Sequence, residues 1–196
     1  MKTKIVAVLL TGILLAFPVG LRAADDGKSP LKQFIETQRQ QAAAFRQQEI
    51  TENRAFRETL KGKSKQEKIE ALKQFRNQQK QERKAFLQNQ HDRLMAFLRE
   101  RLAGSTNLTE QQKADLLAFF ETQYQENMAF YDQQCEETLE FFEKTINDTG
   151  LTAEQKKAAI RDFLKEKREQ AKQYRSQQKQ ERKNKLDSLR PKKTAM

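Results

Sequence analysis

Aromatic residues return every 11 positions along this chain, at Phe34, Phe45 and Phe56, then Phe75, Phe86 and Phe97, then Phe119, Phe130 and Phe141, then Phe163 and Tyr174. Alanine precedes six of them, at Ala44, Ala55, Ala85, Ala96, Ala118 and Ala129. Eleven residues over three turns is about 3.67 per turn, close to a relaxed α-helix and far from the two-residue period of a strand. Proline occurs only at 18, 30 and 191, and Val, Ile and Thr are sparse in between. Nothing from Leu31 to Arg190 therefore breaks a helix, apart from glycines at 62, 104 and 150.

Those glycines divide the stretch into four similar lengths, and capping signals fall where four helices would begin. Ser29 precedes Pro30; Ser64 is followed three residues on by Glu67, Thr109 by Gln112 and Thr152 by Gln155. The reading is helices over 30–61, 65–103, 110–147 and 153–189, joined by short turns that favour antiparallel neighbours. The expected fold is all-α, an elongated antiparallel bundle of about four long hendecad-patterned helices. Gly62 is the weakest break, so a bent rod running through the first two helices is the alternative. The units also repeat in sequence: Leu31-Lys32-Gln33-Phe34 returns as Leu72-Lys73-Gln74-Phe75, and the segment Gln78 to Lys84 returns unchanged at Gln177 to Lys183.

The first 23 residues are of another kind. Lys2 and Lys4 precede an apolar run from Ile5 to Phe17, then come Pro18, Gly20 and a small-residue end at Ala23-Ala24. This is the pattern of a secretory signal peptide cleaved near Ala23, with an uncleaved anchor as the alternative. The expected organisation is a signal peptide over 1–23, one all-helical repeat domain over 24–190 and a basic tail over 191–196, in a periplasmic protein. Only 36% of the chain is apolar, which excludes a polytopic membrane protein and a large packed core. Cys135 is the sole cysteine, so no intrachain disulfide is available to an exported fold.

Lysine and arginine total 38 against 27 acidic residues, a formal net charge of +11. The imbalance is uneven: +2 over 24–63, +5 over 64–107, −8 over 108–150 and +9 over 151–196. An acidic third helix between basic neighbours makes it the expected hub. Its stripe, Leu117, Phe120, Tyr124, Met128, Tyr131, Cys135, Leu139, Phe142 and Ile146, is spaced as a core face. Antiparallel packing would set Arg76, Lys80 and Lys84 near Asp132 and Glu136, and Lys172, Arg175 and Lys179 near Glu121 and Glu126. Most of the positive charge is then an internal complement, leaving the tail and part of the first helix as contact surfaces. Export argues against nucleic acid as a partner.

Leu108-Thr109-Glu110-Gln111-Gln112 and Leu151-Thr152-Ala153-Glu154-Gln155 share the form LTxxQ. In this pair of motifs, in its leader and in its basic helical composition, the chain resembles the Spy and CpxP family of periplasmic stress chaperones. The resemblance implies an ATP-independent holdase for unfolded or envelope proteins, a cradle-like helical shape and a dimer. It assigns Leu108, Thr109, Gln112, Leu151, Thr152 and Gln155 to the family motif. The roughly 40-residue hendecad units and the glutamine richness depart from that family's pattern. The same six residues are also read as two helix caps, each with a leucine packed beside it.

The single residues carry less. His91 with Met95 one turn on gives too few ligands for a metal. Cys135 lies in the core stripe as a buried thiol, with an intersubunit disulfide as the other reading. The Ala-Phe stripe reads as core packing rather than lipid contact, because Trp is absent and the third helix is acidic. No Gly-rich phosphate loop, second histidine or metal-ligand cluster is present, so neither an enzyme nor a cofactor is expected. The leading expectation is a holdase in which exposed Phe34, Phe45 and Phe56, interleaved with Arg39, Arg46, Arg54 and Arg57, hold unfolded segments, because the first helix lacks a matching neighbour for its stripe. A structural or scaffold oligomer of the envelope, from a homodimer upwards, and a peripheral binder of anionic membranes are the alternatives.

Overall fold

A computed structural model describes residues 29–189, so the leader over 1–23, with its cleavage near Ala23, and the tail over 191–196 lie outside the described residues. The described chain is all-α: α1 is Pro30–Thr59, α2 Lys65–Ala103, α3 Glu110–Asn147 and α4 Ala153–Ser188. Each helix start follows from local chemistry. Pro30 stands in the first turn of α1, where its missing N–H costs nothing. At α2, α3 and α4, Ser64, Thr109 and Thr152 accept from the backbone N–H of Glu67, Gln112 and Gln155, whose side chains bond back to the cap N–H. These three closed capping boxes satisfy donors that every helix start leaves unmet.

The Gly62 break is real. Gly62 has φ 76°, in the left-handed region, and the chain reverses there, so α1 and α2 form a hairpin and not a bent rod. The rings fix its register. Phe34 stacks on Phe97, Phe45 on Phe86 and Phe56 on Phe75, with centroids 4.4, 4.3 and 4.0 Å apart and planes within 13° of parallel. One helix climbs by 11 as the other descends by 11, which is what antiparallel hendecads must do.

The second hairpin repeats the device. Phe130 stacks on Tyr174 at 4.1 Å and Phe141 on Phe163 at 3.9 Å. The α1 rings map onto α3 by a shift of 85 residues, and the α2 positions map onto α4 by 88. The repeat unit is thus a helical hairpin, larger than the single helix that the sequence offsets suggest.

The expected hub, α3, packs against α2 and against α4, but it is one of two inner helices, since α2 packs against α1 as well as α3. Lys80 and Lys84 reach Asp132 at 3.1 and 2.9 Å, Lys80 also reaches Glu136 at 3.5 Å, and Lys73 bonds Glu143 at 2.9 Å. Four of the expected cations do not find those partners. Arg76 instead donates to Gln79 on its own helix at 3.3 Å. Lys172 turns to Glu169 of α4, and the register sets Lys167 against Glu137 and Gln178 against Glu126, leaving Lys179 exposed and Arg175 without the expected acidic partner. Glu121 belongs to the other side of α3, where it meets His91 of α2 at 2.8 Å.

The expected core stripe of α3 is also displaced. Leu117, Tyr124, Met128, Cys135, Leu139 and Ile146 are only half-buried, whereas Leu116, Gln123, Gln134 and Thr145 are buried alongside Phe120, Tyr131 and Phe142. A helix that touches two neighbours buries most deeply the line between its two contact stripes. That line carries amides.

Large apolar side chains collect at one end of the bundle. Leu94, Met95, Leu98, Leu102, Leu116 and Phe120 form a buried cluster, flanked by Phe34, Leu108, Leu117, Phe119, Leu186 and Leu189. These come from the start of α1, the end of α2, the start of α3 and the end of α4, so all four helices are fastened together there. Towards the Gly62 and Gly150 turns the interior thins to single residues such as Ile69, Phe142 and Leu164.

Candidate functional site

The α1–α2 hairpin carries the residues singled out for binding, and the structure changes how they are presented. Phe34, Phe45 and Phe56 are half-buried, each stacked on a ring of α2, so the expectation of a stripe without a matching neighbour does not hold. The cause is the shared 11-residue step, which brings the α2 rings to the same heights. The result is a two-helix aromatic strip instead of a one-helix one. Phe75, Phe86 and Phe97 belong to the site as much as their partners do.

Small residues and cations border this strip. Ala44, Ala55, Ala85 and Ala96, each next in sequence to a ring, are exposed, and the rings themselves keep part of their surface open. Arg39, Arg54 and Arg57 are exposed on α1, and Arg101 of α2 lies 5.6 Å from the Phe97 ring centroid. Arg46 is half-buried and donates to the carbonyl of Ala42 at 3.1 Å, which turns it along its own helix. The strip spans 22 residues from Phe34 to Phe56, about 33 Å at roughly 1.5 Å per residue.

Beneath the strip the interior is polar. Glu49, 9% exposed, accepts from Arg83 Nε at 2.8 Å, and Gln90 donates to Gln41 at 2.9 Å. Across α3 and α4, Gln178 donates to Glu126 at 3.0 Å, and Arg182 donates to Gln123 at 3.1 Å. Buried polar residues recur at the hendecad step too: Gln38 and Glu49, Gln123 and Gln134 with Thr145, Lys167 and Gln178. That spacing is the signal by which they could have been found from the sequence, had amides been counted along with rings.

Burial sets the ionisation of several of these groups. It pushes the Tyr131 phenol well up, and Tyr174 up to about 12. It raises the Cys135 thiol, which is half-buried beside Tyr131, so this sulfur is a poor nucleophile. Burial depresses Arg76 and Arg182, whose Nε atoms have no hydrogen-bond partner.

The LTxxQ residues are taken up by helix starts. Thr109 and Gln112, and Thr152 and Gln155, close their capping boxes, while Leu108 packs on the apolar cluster and Leu151 is half-buried. His91 is 7% exposed, pairs with Glu121 and stacks on Tyr124 at 4.0 Å. Among the described residues no group of three His, Cys, Asp or Glu side chains could hold a metal ion. No described helix is long and apolar enough to cross a membrane.

No protein-family model matches the chain, and no curated protein or solved structure matches it either.

Proposed function

We propose that the protein is an exported binding protein that holds unfolded segments of other proteins, without ATP, on the α1–α2 face, in the manner of the periplasmic stress chaperones whose LTxxQ motifs it resembles. One observation carries this reading: six phenylalanines of the first hairpin are half-buried in paired stacks along one strip, bordered by exposed alanines and arginines. A strip of this kind offers apolar edges to a client without a deep pocket, so binding is broad and weak. The arginines favour acidic segments and raise the encounter rate.

The test is aggregation of disulfide-reduced insulin followed by light scattering. Suppression at equimolar protein supports the reading, and Ala44→Glu with Ala85→Glu, which put carboxylates beside the strip and leave the rings in place, should weaken it. No suppression at tenfold excess rejects it.

A second reading rests on the same alanines. Small residues beside flat rings also suit a second copy of the chain, which would make the protein a structural oligomer of the envelope. Sedimentation separates the two: a large stable oligomer that binds no client favours the scaffold. Attachment to anionic membranes through α1 and the tail is read by liposome pelleting at low and high salt.

A further inference from the structure

Where the four helices converge, they line a partly open cavity of about 60 Å³. Ile35, Leu94, Phe120 and Met128 form its apolar wall, and Gln38 and Arg182 stand in its polar wall. Arg182 is 9% exposed; its Nη1 donates to the neutral Gln123 carboxamide and its Nε has no partner. Gln38 is 6% exposed, and its Oε1 has no partner. Both residues line the cavity, though the two unmet atoms are themselves covered and reach a ligand only if their side chains turn; two such atoms at one cavity are unusual all the same, because a buried donor or acceptor normally finds a partner. Burial depresses Arg182 against the attraction of nearby Glu181, so an anion in the cavity would add to a carboxylate that already offsets part of this charge.

We propose that this cavity binds a short-chain monocarboxylate, of acetate to butyrate size, with its carboxylate on the Arg182 guanidinium and its alkyl tail against Leu94, Phe120 and Met128. Each requirement selects that class. The guanidinium calls for an anion, and a carboxylate matches its donor fork. The apolar wall rejects sulfate and phosphate, whose remaining oxygens would meet hydrocarbon. At roughly 10–15 Å³ for each water-sized group, the volume admits about four to six non-hydrogen atoms. Gln38 can turn either end of its carboxamide to the ligand, so its unmet valence is satisfied as well. The cavity shares Phe86 with the α1–α2 strip, but the two readings are tested apart, one by aggregation of a client and the other by binding of butyrate.

The experiment is thermal unfolding and titration calorimetry of the purified protein with sodium butyrate, against butyramide and sodium chloride at matched concentration. At about twentyfold the dissociation constant, butyrate should raise the midpoint by about 4–7 °C, while butyramide and chloride leave it in place. Arg182→Gln should weaken binding by about tenfold or more. Ala42→Leu, which adds bulk to the cavity wall and keeps Arg182, should stay folded by circular dichroism and lose the shift. Equal shifts from butyrate and butyramide, equal shifts from butyrate and chloride, or no shift with the unmutated protein would each overturn the proposal, the last leaving a water-filled cavity.

Discussion

The Lys185 ammonium lies 6.0 Å from the Phe119 ring centroid, at the position in the second hairpin that corresponds to Phe97 against Phe34 in the first. One rung of the duplicated ladder is therefore a cation on a ring, where its counterpart is a ring on a ring. A cation–π contact at a half-buried site contributes about 0.5–1 kcal/mol, and an aromatic pair adds a similar amount beyond the area it buries. Lys185→Phe exchanges a charged stem for apolar area beside Leu186 and Leu189. It should stabilise the fold by about 1 kcal/mol and raise the melting temperature by about 2–4 °C. A fall in melting temperature would remove the argument that the two hairpins share one register.

The stacks themselves can be weighed. Phe45 and Phe86 lie 4.3 Å apart with planes 9° from parallel, and both rings are half-buried. Each substitution by Ala should cost about 2 kcal/mol, below the range for a fully buried ring. The double variant should cost less than the two added together, with a coupling of about 0.5–1.5 kcal/mol. Urea unfolding of the four proteins closes the cycle; strict additivity would mean that the rings touch without stabilising one another.

Acid should loosen the hub. The hydrogen bond with His91 holds the Glu121 carboxyl below the ordinary range, with a further contribution from Gln125, and the bond from Lys167 does the same for Glu137. Burial pushes Asp132 up, but bonds from Lys84 and Lys80 outweigh it and leave this group low as well. A carboxyl with a depressed folded pKa binds fewer protons folded than unfolded. Its contribution is present above the unfolded value, about 4 for Asp and Glu, and is lost as pH falls through the folded one. Stability should hold down to about pH 4.5 and decline below it. Glu121→Gln should flatten the decline, as read from urea midpoints at pH 7, 4 and 3. Partial exposure keeps each share small.

The LTxxQ threonines should behave as caps. Thr109→Ala and Thr152→Ala each remove an acceptor for a helix-start N–H and should cost about 1 kcal/mol, as Ser64→Ala should at the box that lacks the leucine. If the motif has no role beyond the cap, client binding per folded molecule is unchanged in all three. A selective loss of binding in the two threonine variants, at equal stability, would show that the motif serves clients directly.

Helix boundaries were legible because caps and glycines are local signals: Ser64, Thr109 and Thr152 stand within three residues of the partners that close their boxes. The hub was legible from charge, since Lys80, Lys84 and Asp132 carry it on their faces. The pairing of Phe45 with Phe86 was present in the spacing but not in any local rule, because it depends on the chain reversing at Gly62. The buried amides were missed for a related reason. Gln123 and Gln134 look like solvent-facing residues until α2 and α4 are placed on either side of α3. The cavity at Arg182 needed all four helices at once, and no single-helix pattern encodes it.

Two turn glycines should respond to alanine with opposite sign. Gly62 has φ 76°, and a Cβ there would meet nothing within 4 Å, so the cost of Gly62→Ala is backbone strain alone. The left-handed conformation costs an alanine about 1–2 kcal/mol, less a fraction recovered from the stiffer unfolded chain. Gly104 caps α2 at φ −84°, a conformation that alanine adopts freely, and a Cβ there also meets open space. Gly104→Ala should therefore stabilise by about 0.4–1 kcal/mol, through the unfolded state. Thermal unfolding of the two variants beside the parent reads both signs in one experiment. The Gly62 change acts at the thin end of the bundle, where little apolar packing resists it, so hydrogen exchange should rise first in the last turn of α1 and the first turn of α2. Uniform exchange along α1 would mean that the hairpin opens as a whole and that the apolar end does not hold it.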